Sequence, residues 1–154
     1  MEEEYPKLRR FNAVMGVFHL IQFVLLMALS NNFTVPLTAS YLKMNPMTQK
    51  LVTNTVTIAN IRLGPLVAVF LLISAIAHFS LASPWGYPWY VRNLKKHINY
   101  ARWVEYAFSS SVMIVVIAML TGIYDIGTLI PLFALNACMN LFGLMMELYN
   151  QKKE

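Results

Sequence analysis

The chain has 154 residues, 58% of them hydrophobic and 12% charged, with a formal net charge of +5. A soluble domain of this size carries about a quarter charged residues, and here the apolar residues run in long blocks rather than with the periodicity of a soluble core. Nucleic-acid binding is excluded as the source of the positive charge, because Lys and Arg sit in short groups between the apolar blocks and form no continuous basic face.

About 20 mainly apolar residues cross a bilayer as a helix. Four segments reach that length, and they predict an all-α membrane protein with spans over Asn12–Leu29, Leu63–Ala82, Trp103–Gly122 and Ile126–Leu148. The first could be read as a cleaved leader, since Ala28-Leu29-Ser30 has the small-x-small pattern. Glu2-Glu3-Glu4 at the start and the polar Asn12, His19 and Gln22 within the run oppose that reading.

Between the first two spans lies a connection over Ser30–Arg62, too long for a loop without structure of its own. Phe33–Leu42 and Leu51–Ile61 are rich in β-branched residues and partly alternate, with Asn45-Pro46 as a turn signal between them, so a β-hairpin on the outer surface is expected. Asn32-Phe33-Thr34 there matches the short glycosylation pattern. In the second span, Gly64 and Pro65 fall in the first turn, where a missing backbone donor is harmless. Pro131 sits inside the fourth span and predicts a mild kink. Lone Cys138 lies in an apolar run and has no partner for an internal disulfide.

Cation placement sets the expected orientation. Lys7, Arg9, Arg10, Arg92, Lys95, Lys96, Arg102, Lys152 and Lys153 share one side, against Lys43, Lys50 and Arg62 on the other. Both termini are therefore expected in the cytoplasm, with Trp85, Tyr87, Trp89, Tyr90, Tyr100 and Trp103 in an aromatic belt on that side.

Each span carries one polar stripe: Asn12, His19 and Gln22 on the first; Ser74 and His78 on the second; Glu105 and Ser109–Ser111 on the third; Asn136, Asn140, Gly143 and Glu147 on the fourth. Such stripes are expected to face one another. At about 1.5 Å per residue, His19 lies about two turns and His78 and Glu105 about one turn from the inner surface, so three ionisable groups from three helices all fall in the cytoplasmic half of the bundle. The plainer readings are that each His is a packing residue, that Glu105 snorkels or pairs with Arg102 one turn earlier, and that at least two of the three serines bond back to carbonyls. Met113, Met139, Met145 and Met146 are equally read as packing residues. A two-His-one-carboxylate metal site lacks the close ligand spacing such sites use, and no metal is expected.

These residues also carry a resemblance. Phe11-Asn12 with Gly16-Val17-Phe18-His19-Leu20-Ile21-Gln22, Arg102-Trp103-Val104-Glu105-Tyr106 with its trailing serines and Met113, and Asn136-Ala137 with Met139 and Leu141-Phe142-Gly143 resemble the heliorhodopsins in order and spacing. The likeness covers essentially the whole chain and about the first four of the family's seven helices.

It implies a light sensor that binds all-trans-retinal, has an inverted topology with the N-terminus inside, forms a homodimer through the outer hairpin, and signals to a cytoplasmic partner rather than acting as a robust ion pump. It implies no enzymatic activity. On the same resemblance Glu105 is the Schiff-base counter-ion, and His19, His78, Ser74 and Asn99 belong to the proton network. Tyr106, Ser109, Met113, Asn136, Met139 and Gly143 lie near the retinal. Ala107 stands where the family often has a serine. The family's attachment lysine lies in the seventh helix, and every lysine here falls outside the spans, so the chain is expected to be incomplete by itself and to meet the missing C-terminal helices from elsewhere. The contrasting expectation is a chromophore-free four-helix membrane scaffold that uses its polar stripes for packing or assembly.

Overall fold

In the computed structural model, which describes residues 4–150, the chain forms α1 (Glu4–Leu29), β1 (Thr34–Met44), β2 (Leu51–Arg62), α2 (Leu63–Ala82), α3 (Gly86–Leu94), α4 (Tyr100–Leu120) and α5 (Ile126–Tyr149). The four long helices, α1, α2, α4 and α5, are each long and apolar enough to cross a membrane. Three boundaries differ from expectation. The first helix begins eight residues earlier: Glu4–Phe11 extend it ahead of the apolar run, with Pro6 in the first turn, where a missing backbone donor is harmless. The third begins at Tyr100 because Asn99 caps it, its side-chain oxygen accepting the Arg102 N–H at 3.1 Å. The fourth runs unbroken through Pro131 to Tyr149.

The expected hairpin is present and longer than its sequence signals. β1 and β2 pair antiparallel from Thr34↔Arg62 to Met44↔Leu51, with a register shift between Leu37 and Thr38. Its turn is built by Asn45, whose side-chain oxygen accepts the Met47 N–H at 2.9 Å while its backbone N–H donates to the Lys50 carbonyl at 2.9 Å. The root of the hairpin is fixed to the bundle. Val35 is buried with Leu63, Ala118, Met119 and Leu129, which brings β1, α2, α4 and α5 into one apolar cluster at the hairpin end of the bundle. Thr38 N–H donates to the Tyr124 carbonyl in the α4–α5 turn at 2.9 Å, and Gly122 in that turn adopts φ +95°, a conformation that disfavours other residues. Toward the tip, Tyr41, Leu42 and Met44 are exposed.

The spans do not close into a ring. α1 packs on α2, α2 on α4 and α4 on α5, and no comparable contact joins α1 to α5 among the described residues. The polar stripes face one another as expected, but pairwise, each met by its neighbour along an open row. Burial follows that order. Phe11, Val14, Phe18, Ile21 and Leu25 on α1, and Leu135, Met139, Phe142 and Met146 on α5, are exposed apolar side chains, whereas α4 in the row's interior buries Ala107, Ser109, Ser111, Val116, Ala118 and Met119. Apolar surface of this extent along whole helices is stable only against hydrocarbon or further helices.

Candidate functional site

The half of the row away from the hairpin holds the ionisable groups. Asn12, 4% exposed and so one of the most buried polar residues, donates from its amide nitrogen to the Leu8 carbonyl at 3.0 Å. That bond assigns the other amide atom as the acceptor, so His78 Nδ1, 2.8 Å from Asn12 Oδ1, is the protonated nitrogen. The His19 and His78 rings stack, with centroids 5.5 Å apart and planes 16° from parallel. His19 Nδ1 is held in turn by Gln22 Oε1 at 3.1 Å. One helical turn from His78 on α2, Ser74 donates its hydroxyl to Glu105 Oε1 on α4 at 2.5 Å. α1, α2 and α4 are thus joined at one depth through polar side chains. The convergence of His19, His78 and Glu105 expected from the sequence is present.

A cavity of about 190 Å³ opens beside these groups. Its polar lining is Asn12, His78, Tyr90, Asn99, Arg102 and Glu105, with the Tyr106 ring alongside. Tyr90 comes from α3, the short helix in the connection between α2 and α4, which has no apolar stripe of span length to announce it in the sequence. It is buried, and burial pushes its phenol above the ordinary range, with Asn99, Asn12 and the Arg102 charge acting in the opposite direction. The phenol therefore keeps its proton at neutral pH and remains a donor at the cavity wall.

Arg102 does not pair with Glu105. Its guanidinium turns to Glu147 on α5, with Nη2 donating to Oε1 at 3.4 Å. Glu147 Oε2 also accepts the Trp103 indole N–H at 2.6 Å and the Asn99 backbone N–H at 3.0 Å. The charged end of α5 thereby satisfies donors at the start of α4, which anions at a helix N-terminus do well. Glu147 had been read only as one member of a stripe. Its three donors lie 44 to 48 residues away, and no local pattern reveals them. With Arg102 engaged there, Glu105 makes no ion pair among the described residues.

The serine expectation is also corrected. Ser110 alone of the three bonds back, donating to the Tyr106 carbonyl at 2.6 Å. Ser110 and Ser111 accept from the Asn136 amide at 2.7 and 3.1 Å, and Ser110 accepts from Asn140 at 3.0 Å, so they join α4 to α5. Ser109 is buried. Gly143 lies against Trp103, and a Cβ there would clash with the indole at its Cζ3. Tyr106, Met113 and Met139 are exposed on the faces of α4 and α5. Asn99 lines the cavity, but its side chain serves as the α4 cap and makes no direct bond to Ser74 or the histidines. Among the described residues no group of three or more His, Cys, Asp or Glu side chains is placed to hold a metal ion.

Four apolar membrane-type helices, a two-stranded hairpin on one end and a polar cavity between helices at the other define a multi-pass membrane protein built to keep ionisable groups inside the bilayer. The heliorhodopsin family model matches residues 8–154, and the chain belongs to that family of rhodopsin-type light-sensing membrane proteins, whose full-length members carry a retinal chromophore. No curated protein matches the chain.

Proposed function

We propose that this chain forms the counter-ion side of a retinal light sensor, with its N-terminus in the cytoplasm. The observation that carries the reading is Glu105: a carboxylate within a span, held by one hydroxyl from Ser74 and making no ion pair among the described residues. An acid kept in that setting asks for a positive partner, and the iminium of a retinylidene lysine has the charge and the apolar body to supply it. When bound, the chromophore supplies a light-driven isomerisation and a proton.

The rest belongs to this chain. Glu105 balances the positive charge, Ser74 orients its carboxylate, and Asn12 and Gln22 fix the stacked His78 and His19 rings that take up or relay protons with Asn99 at the cavity. Tyr106, Ser109, Met113, Asn136, Met139 and Gly143 form one wall for the polyene, and the exposed Tyr106, Met113 and Met139 are the surfaces it covers. Lys7 lies in the first turns of α1, Lys43 and Lys50 on the hairpin side, and Lys95 and Lys96 after α3. The attachment lysine therefore comes from outside these residues. The output is a conformational signal to a cytoplasmic partner from a homodimer joined through the hairpins, not steady ion transport.

The test is reconstitution with all-trans-retinal of the chain extended by its downstream reading frame. A visible absorption band is expected, and Glu105→Gln should move it to longer wavelength. A band that Glu105→Gln leaves in place removes Glu105 from the role. Absence of any band favours the chromophore-free scaffold.

A further inference from the structure

At the inner rim, two cation–aromatic contacts gather separate elements into one surface. The Arg9 side chain donates to the Ala82 carbonyl at 2.8 Å and its guanidinium sits 5.3 Å over the Tyr87 ring, while the Lys95 ammonium lies 5.7 Å over Tyr5. The first turns of α1, the end of α2 and the α3 segment therefore share one edge. On that edge Arg10, Arg92 and Lys96 are exposed and make no ion pair among the described residues. The acids described on this side are occupied elsewhere, Glu147 by Arg102 and Glu105 by Ser74. Trp85, 92% exposed, and Trp89, 40% exposed, lie on the same short segment after α2 as Arg92 and Lys96.

The level of this edge is set by Arg9 meeting Ala82, the last residue of α2. It is the height at which hydrocarbon gives way to headgroups, where an indole is at home and an uncovered one in water is not. Cations that make no ion pair among the described residues, with exposed indoles on the same segment, fit a surface of phosphate headgroups above acyl chains better than a soluble acidic protein, which would leave the indoles without an apolar phase. The geometry points to preferential binding of anionic phospholipid by this rim. Each cation near such a surface favours it about fivefold, so several together select anionic over zwitterionic lipid in the annulus. The inference does not depend on the chromophore or on the orientation proposed above.

The chain is placed in nanodiscs of phosphatidylcholine with a minority of phosphatidylglycerol in both leaflets, which makes the result independent of orientation. Association of spin-labelled phosphatidylglycerol and phosphatidylcholine with the protein is compared. The wild type is expected to prefer phosphatidylglycerol several-fold. That preference should fall toward unity in the combined Arg92→Gln, Lys95→Gln, Lys96→Gln variant and in molar salt, where screening shortens from about 8 to about 3 Å. The hairpin variant Lys43→Gln, Lys50→Gln should keep it. Should the combined variant lose helical circular dichroism, Lys96→Gln alone is expected to give a partial loss. Equal association of the two lipids, a preference that survives removal of the rim cations, or an equal loss in the hairpin variant overturns the proposal. Binding of soluble polyglutamate without lipid preference would assign the rim to an acidic protein instead.

Discussion

Replacing Glu147 by alanine removes one acceptor group from three donors at once. The Trp103 indole N–H at 2.6 Å and the Asn99 backbone N–H at 3.0 Å are half-buried bonds to a charged acceptor, and each such bond is worth about 1.5 kcal/mol or more. The Arg102 pair, at 3.4 Å with both partners partly exposed, is discounted to about 0.5 kcal/mol. Because the three share one carboxylate they do not add fully, and a loss of about 2–4 kcal/mol is expected for Glu147→Ala. Glu147→Gln keeps an acceptor oxygen and should lose about half as much. Reversible unfolding in mixed micelles, followed by tryptophan fluorescence, measures both, and combining Glu147→Gln with Trp103→Phe tests the coupling. Wild-type stability in Glu147→Ala, or fully additive effects in the double variant, would refute the view that this carboxylate ties α5 to the start of α4.

Gly143→Ala brings a methyl group into collision with the Trp103 indole; overpacking of this kind costs about 1–3 kcal/mol, to be read as a lowered unfolding midpoint and a changed Trp103 emission, whereas the same change at exposed Gly127 should alter emission little. Tyr90 holds its proton in the folded state over a range where an ordinary phenol, with a value near 10.0, loses it. The folded form then binds more protons than the unfolded chain, so stability falls as pH rises above about 10, and Tyr90→Phe should flatten that alkaline decline in a pH series of midpoints. Thr38→Pro removes the N–H that donates to Tyr124, and hydrogen exchange at the base of the hairpin should accelerate while the spans stay protected.

Much of the architecture was legible because it is written locally. Span length and apolarity fix α2 to within a residue of its observed bounds, and β-branched alternation around Asn45-Pro46 announces the hairpin. Charge runs mark the inner edge. What the sequence leaves hidden is long-range or short. α3 is only nine residues, with Pro84 and Pro88 around its start, so it shows neither a full apolar stripe nor span length. The open row of spans depends on which stripes meet, and periodicity reports a face without naming its partner. The cavity residues His19, His78 and Glu105 were found because ionisable groups in a bilayer are conspicuous. The role of Glu147 is hidden because its donors come from another helix, and the local alternative of an Arg102–Glu105 pair is not the one formed, since Arg102 pairs with the distant Glu147.

The account turns on Glu105 carrying a negative charge that awaits a cation. Infrared spectroscopy of the retinal-reconstituted full-length protein in the dark, with isotope-labelled glutamate and Glu105→Gln for assignment, reads that charge directly. The expected result is an ionised carboxylate band that disappears in Glu105→Gln. A protonated carboxyl band in its place would mean that another group balances the chromophore and that Glu105 only hydrogen-bonds Ser74.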